Sequence, residues 1–184
     1  MTLGGAVSGT GALSVKPVSA GRLVSLGAAG PQFDLTDTEI GYLADGFSSI
    51  TLGDLFSGAV TVNTAVFRDP VEIQGGGTIT VTAGSPSLST SQDNAGISLR
   101  SAAGAGIVVN GGITAHGAGK VDILSGAGFT LGNGIGISSG SGNITIGTTG
   151  INSMLLDGTV STAGAGTIAI TGSASGIGQA TRTR

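Results

Sequence analysis

Residues 97–115 read ISLRSAAGAGIVVNGGITA, and the pattern of that stretch recurs as far as Ile170. Apolar–x–apolar triplets begin at Ile97, Val121, Ile144 and Ile168, at intervals of 24, 23 and 24 residues. A second series begins at Ile107, Phe129 and Met154, and a third at Ile113, Ile135 and Val160. Each second-series triplet ends four positions before the third-series triplet that follows it: Val109 to Ile113, Leu131 to Ile135, Leu156 to Val160. Those gaps hold the steps Asn110-Gly111, Asn133-Gly134 and Asp157-Gly158. Three short strands and three corners in every 24 residues or so form the period of a solenoid.

The triplets carry the physics. Alternate side chains of a strand point to opposite faces, so Ile97 and Leu99 look one way and Ser98 the other. A single three-residue strand buries almost nothing. Equivalent strands stacked about 4.8 Å apart turn the inward positions into continuous ladders of Ile, Val and Leu. At the corners, Gly, and less readily Asn or Asp, accepts the positive φ that sharp turns between short strands often require. The expected fold is all-β: a three-sided parallel β-helix of about six rungs, right-handed by the general crossover preference.

Composition bounds the rest. Gly is 37 of 184 residues, far above the usual level of roughly 7%. Disorder goes with low hydrophobicity and high charge, yet charged residues are only 9% and the apolar residues alternate with strand period. Aromatics are 3%, with no Trp and one Tyr, which predicts a narrow aliphatic interior. A net charge of −3 supplies no basic patch for a phosphate backbone, so nucleic acid is not an expected partner. The absence of Cys excludes disulfides and thiolate metal sites. Residues 123–156 carry no charge, but Gly, Ser, Thr and Asn interrupt them every few positions, and a membrane-spanning helix is not expected. Met1 leads into Thr2-Leu3-Gly4-Gly5-Ala6, which is not the pattern of a secretory signal.

Along the chain, residues 1–32 read as an irregular lead-in or a partial first rung, and 33–49 as a short helical insertion. Residues 50–184 read as solenoid repeats, a segment expected to belong to a longer protein. Thr36 with Glu39 three positions later fits a capping box, and Ile40 with Leu43 supplies a small apolar face, so a helical turn is predicted near residues 37–43. The first clear rung runs Ile50-Thr51-Leu52, Val60-Thr61-Val62, then a third strand near Val66 and Phe67. Rung two holds Val71-Glu72-Ile73, Ile79-Thr80-Val81 and a longer corner before Leu88. Both ends are expected to expose unpaired strand edges, which would favour self-association.

Leu35-Thr36-Asp37-Thr38-Glu39-Ile40, then Gly46-Phe47-Ser48-Ser49-Ile50-Thr51-Leu52-Gly53 and the Val60-Thr61-Val62 unit, resemble the repeat region of large bacterial exoproteins. Those are of the filamentous-haemagglutinin type, exported by two-partner secretion. The resemblance lies in composition and period over residues 33–172. It implies a β-helical passenger that is extracellular or on the bacterial cell surface, often acting in adhesion to surface glycans or host proteins. No binding residue of that family has a matching motif here.

Candidate chemistry is sparse. Thr171-Gly172-Ser173-Ala174-Ser175-Gly176-Ile177-Gly178 matches the cofactor loop of short-chain dehydrogenases, but only six residues follow Gly178 and the one Tyr is Tyr42. A corner is the better reading, and no cofactor is expected. Asp69 and Glu72, beside Arg68, are the closest acidic pair outside the capping segment. Two carboxylates about 5–10 Å apart could cleave a sugar; a turn Asp before Pro70 and an outward Glu is the plainer reading. His116 is the only histidine and reads as a surface corner residue, with no metal site expected. Gly75-Gly76-Gly77-Thr78-Ile79 lacks the Asp of a calcium-binding β-roll. Outward Thr residues raise the question of an ice-binding face. The outward positions instead read Thr51, Glu72, Ser98, Asp122, Thr145, Ala169 in the first series and Thr61, Thr80, Val108, Thr130, Leu155 in the second, neither a clean ladder. The expectation is a non-enzymatic structural or adhesive solenoid whose named positions, Asn110, Gly111, Asn133, Gly134, Asp157 and Gly158, are corners. The alternatives are a carbohydrate-binding or polysaccharide-cleaving β-helix and a self-associating filament subunit.

Overall fold

The computed structural model describes residues 2–84, 86–149 and 153–172. Three parallel sheets enclose one interior, mostly aliphatic as expected but also holding Phe47, Phe67 and Phe129, and the strands are numbered along the chain. The first sheet stacks β1 (Ala12–Val15), β4 (Ser49–Asp54), β7 (Val71–Gly75), β10 (Ile97–Ser101), β13 (Val121–Ser125), β16 (Ile144–Thr148) and β19 (Ile168–Thr171). The second runs from β3 (Phe33–Thr36) through β2 (Val24–Gly27), β5 (Val60–Val62), β8 (Ile79–Val81), β11 (Ile107–Val109) and β14 (Phe129–Leu131) to β17 (Met154–Leu156). The third stacks β6 (Ala65–Phe67), β9 (Leu88–Thr90), β12 (Ile113–Ala115), β15 (Gly136–Ser139) and β18 (Thr159–Thr162). Among the described residues five turns have all three sides, β1 and β2 add two sides of another, and β19 begins one more.

Register follows the apolar triplets because slipping a strand by one residue would turn its whole apolar set outward. Leu99 pairs with Ile73 on one side and Ile123 on the other, and Ile146 continues the row. Val81, Val109, Leu131 and Leu156 form the equivalent row of the second sheet. These side chains are essentially solvent-free. Each fully buried aliphatic of this size contributes roughly 1.5–3 kcal/mol.

The third side corrects the expected register at two rungs. Ile137, not Ile135, pairs with Ile113 and Val160 and is buried; Ile135 lies before the strand and is half-buried. In the first rung the inward pair is Ala65 and Phe67, while Val66 points outward and is 44% exposed. In both places apolar residues stand at several neighbouring positions, so alternation alone does not choose among them. Pairing with the adjacent turns does.

At the amino-terminal end only the third side is covered, while β1 and β3 remain the edge strands of the first and second sheets. Helix α1 (Asp37–Gly41) packs against β6, on the side where the incomplete first turn has no strand. Thr36 and Glu39 form the capping box: the Thr36 hydroxyl accepts from the Glu39 N–H, and the Glu39 carboxylate accepts from the Thr36 N–H at 2.9 Å. Glu39 also accepts from the Leu3 N–H at 2.8 Å, which ties the start of the chain to the helix. The Thr36 N–H first, then the Leu3 N–H and the Thr36 hydroxyl, hold the Glu39 carboxyl below the usual glutamate range. Val7 forms a parallel bridge with Leu43, so the first residues run alongside the segment that follows the helix. No helix among the described residues is long and apolar enough to cross a membrane.

Candidate functional site

The strand ends carry hydroxyls that close the corners from inside. At the first-to-second sheet corner, Ser101 Oγ donates to the Ala105 carbonyl at 2.7 Å and accepts from the Gly126 N–H at 3.0 Å. One turn on, Ser125 Oγ donates to the Gly128 carbonyl at 2.9 Å. At the third-to-first corner, Thr90 Oγ1 donates to the Ala95 carbonyl and accepts from the His116 N–H, and Ser139 Oγ serves Gly119 and Gly142 in the same way. These buried hydroxyls satisfy corner backbone groups that would otherwise be stranded. The sequence signal for them is a Ser or Thr two positions past the last inward aliphatic (Leu88, Leu99, Ile123 and Ile137), an inward place by alternation that their polar character disguises as surface.

The Asx-Gly steps prove to be of two kinds. Backbone hydrogen bonds from Asn110 to Val81, from Gly132 to Val109 and from Asp157 to Leu131 make Asn110, Gly132 and Asp157 equivalent. Asn133-Gly134 therefore stands one position later, in a corner two residues longer than its neighbours. Positive φ is also confined to it: Gly134 has φ +70°, the left-handed value. Gly111 and Gly158 do not need that conformation. A Cβ on Gly111 would lie 1.9 Å from the Thr82 carbonyl oxygen, and one on Gly158 would lie 2.1 Å from that of Ile135. There the glycine is required by the close approach of the adjacent turn.

The two members of the acidic pair have different surroundings. Asp69 is 5% exposed, and its two carboxylate oxygens accept the Gly46 N–H at 3.0 Å and the Phe47 N–H at 3.1 Å. Glu72 faces outward on β7 and accepts from Gln74 Nε2 at 2.9 Å. Arg68 Nη1 donates to the Gly41 and Leu43 carbonyls, both at 3.1 Å, at the carboxyl end of α1. His116 is on the surface, with Nδ1 2.7 Å from Asp93 Oδ1 of the preceding turn. Residues 173–178 of the Thr171–Gly178 string lie outside the described residues; Thr171 ends β19.

What remains for contact with other molecules is the outward side of the sheets. On the first sheet, Thr51, Glu72, Ser98, Asp122, Thr145 and Ala169 form one cross-strand row. Gln74, Arg100 and Leu124 stand in the row beside it. A shallow groove over that face is lined by Glu72, Ser98, Arg100, Asp122, Leu124 and Thr145. A larger one, of about 720 Å³, runs along the corner beside it past Pro70, Asn94, Lys120 and Asn143. Lys120 Nζ is 3.8 Å from Asp122 Oδ2, a surface ion pair within a single rung at the start of β13. The third sheet sets Thr114, Ser138 and Ser161 in line with the buried Ser89, and Thr114 Oγ1 and Ser138 Oγ are 3.1 Å apart. That hydroxyl row was hidden from sequence reasoning by the misplaced third-side register.

Fold and surface together define a three-sheet parallel β-solenoid whose outward rows mix polar residues with exposed Val66, Leu124 and Leu155. No protein-family model matches the chain, and neither curated proteins nor solved structures include a match to it.

Proposed function

We propose that this chain is a structural segment, a stalk or adhesive repeat, of a bacterial surface or secreted adhesin of the filamentous-haemagglutinin kind. It works through shape and contact rather than bond chemistry. The observation that carries the reading is the use made of its reactive groups. Asp69 is turned onto backbone N–H groups inside the molecule while Glu72 points outward, so the acidic pair does not converge on a common substrate position. The rows of the first sheet repeat about every 4.8 Å, a spacing suited to an extended ligand touching several rungs at once.

A second reading, a carbohydrate-binding or polysaccharide-cleaving β-helix, draws support from the groove holding Glu72, Arg100 and Asp122 on one face. One experiment separates the two. The chain is incubated with immobilised neutral and acidic polysaccharides and with host surface proteins. Retention on a ligand without release of new reducing ends is the expected outcome for an adhesive repeat. Release of reducing ends would overturn the non-enzymatic reading. Rods that neither bind nor cleave, seen by electron microscopy, would mark a pure stalk.

A further inference from the structure

The chain contains two Asn-Gly steps, Asn110-Gly111 and Asn133-Gly134, and the fold treats the same dipeptide in opposite ways. At Asn110-Gly111 the Asn110 N–H donates to Val81 at 2.9 Å and the Gly112 N–H donates to Gly84 at 3.0 Å. Gly111 is buried, wedged against the Thr82 carbonyl and the Ser87 hydroxyl. At Asn133-Gly134 both residues are exposed, and nothing lies within 4 Å of where a Gly134 Cβ would stand. The Ile135 N–H closes a turn on the Gly132 carbonyl at 3.2 Å, with Asn133 and Gly134 as its two central residues.

We infer that Asn133 is a site of spontaneous backbone-assisted deamidation, from which the solenoid protects Asn110. The Gly134 amide nitrogen attacks Cγ of the Asn133 side chain. A C–N bond forms, the nitrogen's proton passes to solvent base, and the side-chain amide leaves as ammonia. Water then opens the cyclic imide at one of its two carbonyls, leaving an aspartate or an isoaspartate linkage and one new negative charge. The step needs the nitrogen and Cγ to come within about 3–3.5 Å in a near-attack arrangement. Reaching it means rotating the Asn backbone and the following peptide. A glycine is the neighbour that resists such rotation least, and an open turn is where local rearrangement takes least energy. At Asn110 the same rotation would drive Gly111 into the Thr82 carbonyl and break the hydrogen bonds on both sides. The longer corner also absorbs the product. Its anchors, the Gly132 N–H on Val109 and the Ile135 carbonyl receiving the Thr159 N–H, lie outside the reacting bond.

The test is peptide mapping by mass spectrometry after the intact chain is held at mildly alkaline pH, alongside the same chain in denaturing urea. In the folded protein Asn133 is expected to convert several-fold faster than Asn110, and in urea the two rates should converge. Gly134→Ala should slow conversion at Asn133 and leave Asn110 unchanged. Equal rates in the folded chain, faster reaction at Asn110, or no reaction at Asn133 would overturn the inference. A difference that persists in urea would also overturn it, because the cause would then not be the fold.

Discussion

The Asp69 carboxylate accepts the Phe47 N–H at 3.1 Å across 22 residues of chain, joining the β6–β7 corner to the segment that enters β4. Arg68, one position earlier, grips the carbonyls at the end of α1. Two adjacent side chains thus fasten the amino-terminal cover to the first complete turn.

Asp69→Ala should therefore loosen that cover. It leaves the buried Phe47 N–H without an acceptor, at about 1–3 kcal/mol. Urea unfolding gives the magnitude. Hydrogen exchange should locate the loss in residues 37–50 rather than in the later rungs. Uniform loss along the whole chain would show that the contact is not a local fastening.

Ile123 is 1% exposed between Leu99 and Ile146 in the inward row. Ile123→Asp places a carboxylate there with no partner, at a cost of several kcal/mol against a total stability of only about 5–15 kcal/mol. Circular dichroism melting should show a large drop. A variant melting with the parent would contradict the observed register.

The two kinds of corner glycine should respond differently to alanine. Gly111→Ala pushes a methyl group into the Thr82 carbonyl, an overpacking that costs about 3 kcal/mol. Gly134→Ala meets no atom and costs only the left-handed backbone, about 1 kcal/mol. Thermal melts of the pair decide the order, and a larger effect at Gly134 would mean that conformation, not close approach, governs these corners.

Acid should weaken the cap. The Glu39 carboxyl is held below its ordinary range by the Thr36 N–H, with the Leu3 N–H and the Thr36 hydroxyl adding to it. A lowered carboxylate contributes stability that is fully present above the unfolded value of about 4.3 and is lost as pH falls through the folded value. Unfolding followed between neutral and strongly acidic pH should show this component, and Glu39→Gln should remove it. An unchanged acid profile in the variant would assign the loss to other carboxylates.

Much of this architecture was legible in the sequence because a solenoid repeats its physics. The triplets at Ile97, Val121, Ile144 and Ile168 share a period, and period-two alternation names their inward residues without reference to anything distant. The Thr36–Glu39 capping box is likewise local, complete within four residues. The third side was less legible. Ile135 and Ile137 are two apart and both suit an inward position, so only pairing with Ile113 and Val160 selects Ile137. The character of the corners also lay outside the sequence. Asn110-Gly111 and Asn133-Gly134 are the same dipeptide, and one is closed because the Thr82 carbonyl of the preceding turn lies against it. Local alternation sets which residues face inward, whereas the distance between successive turns, a property of the stacked chain alone, decides which glycine is indispensable and which asparagine is open to reaction.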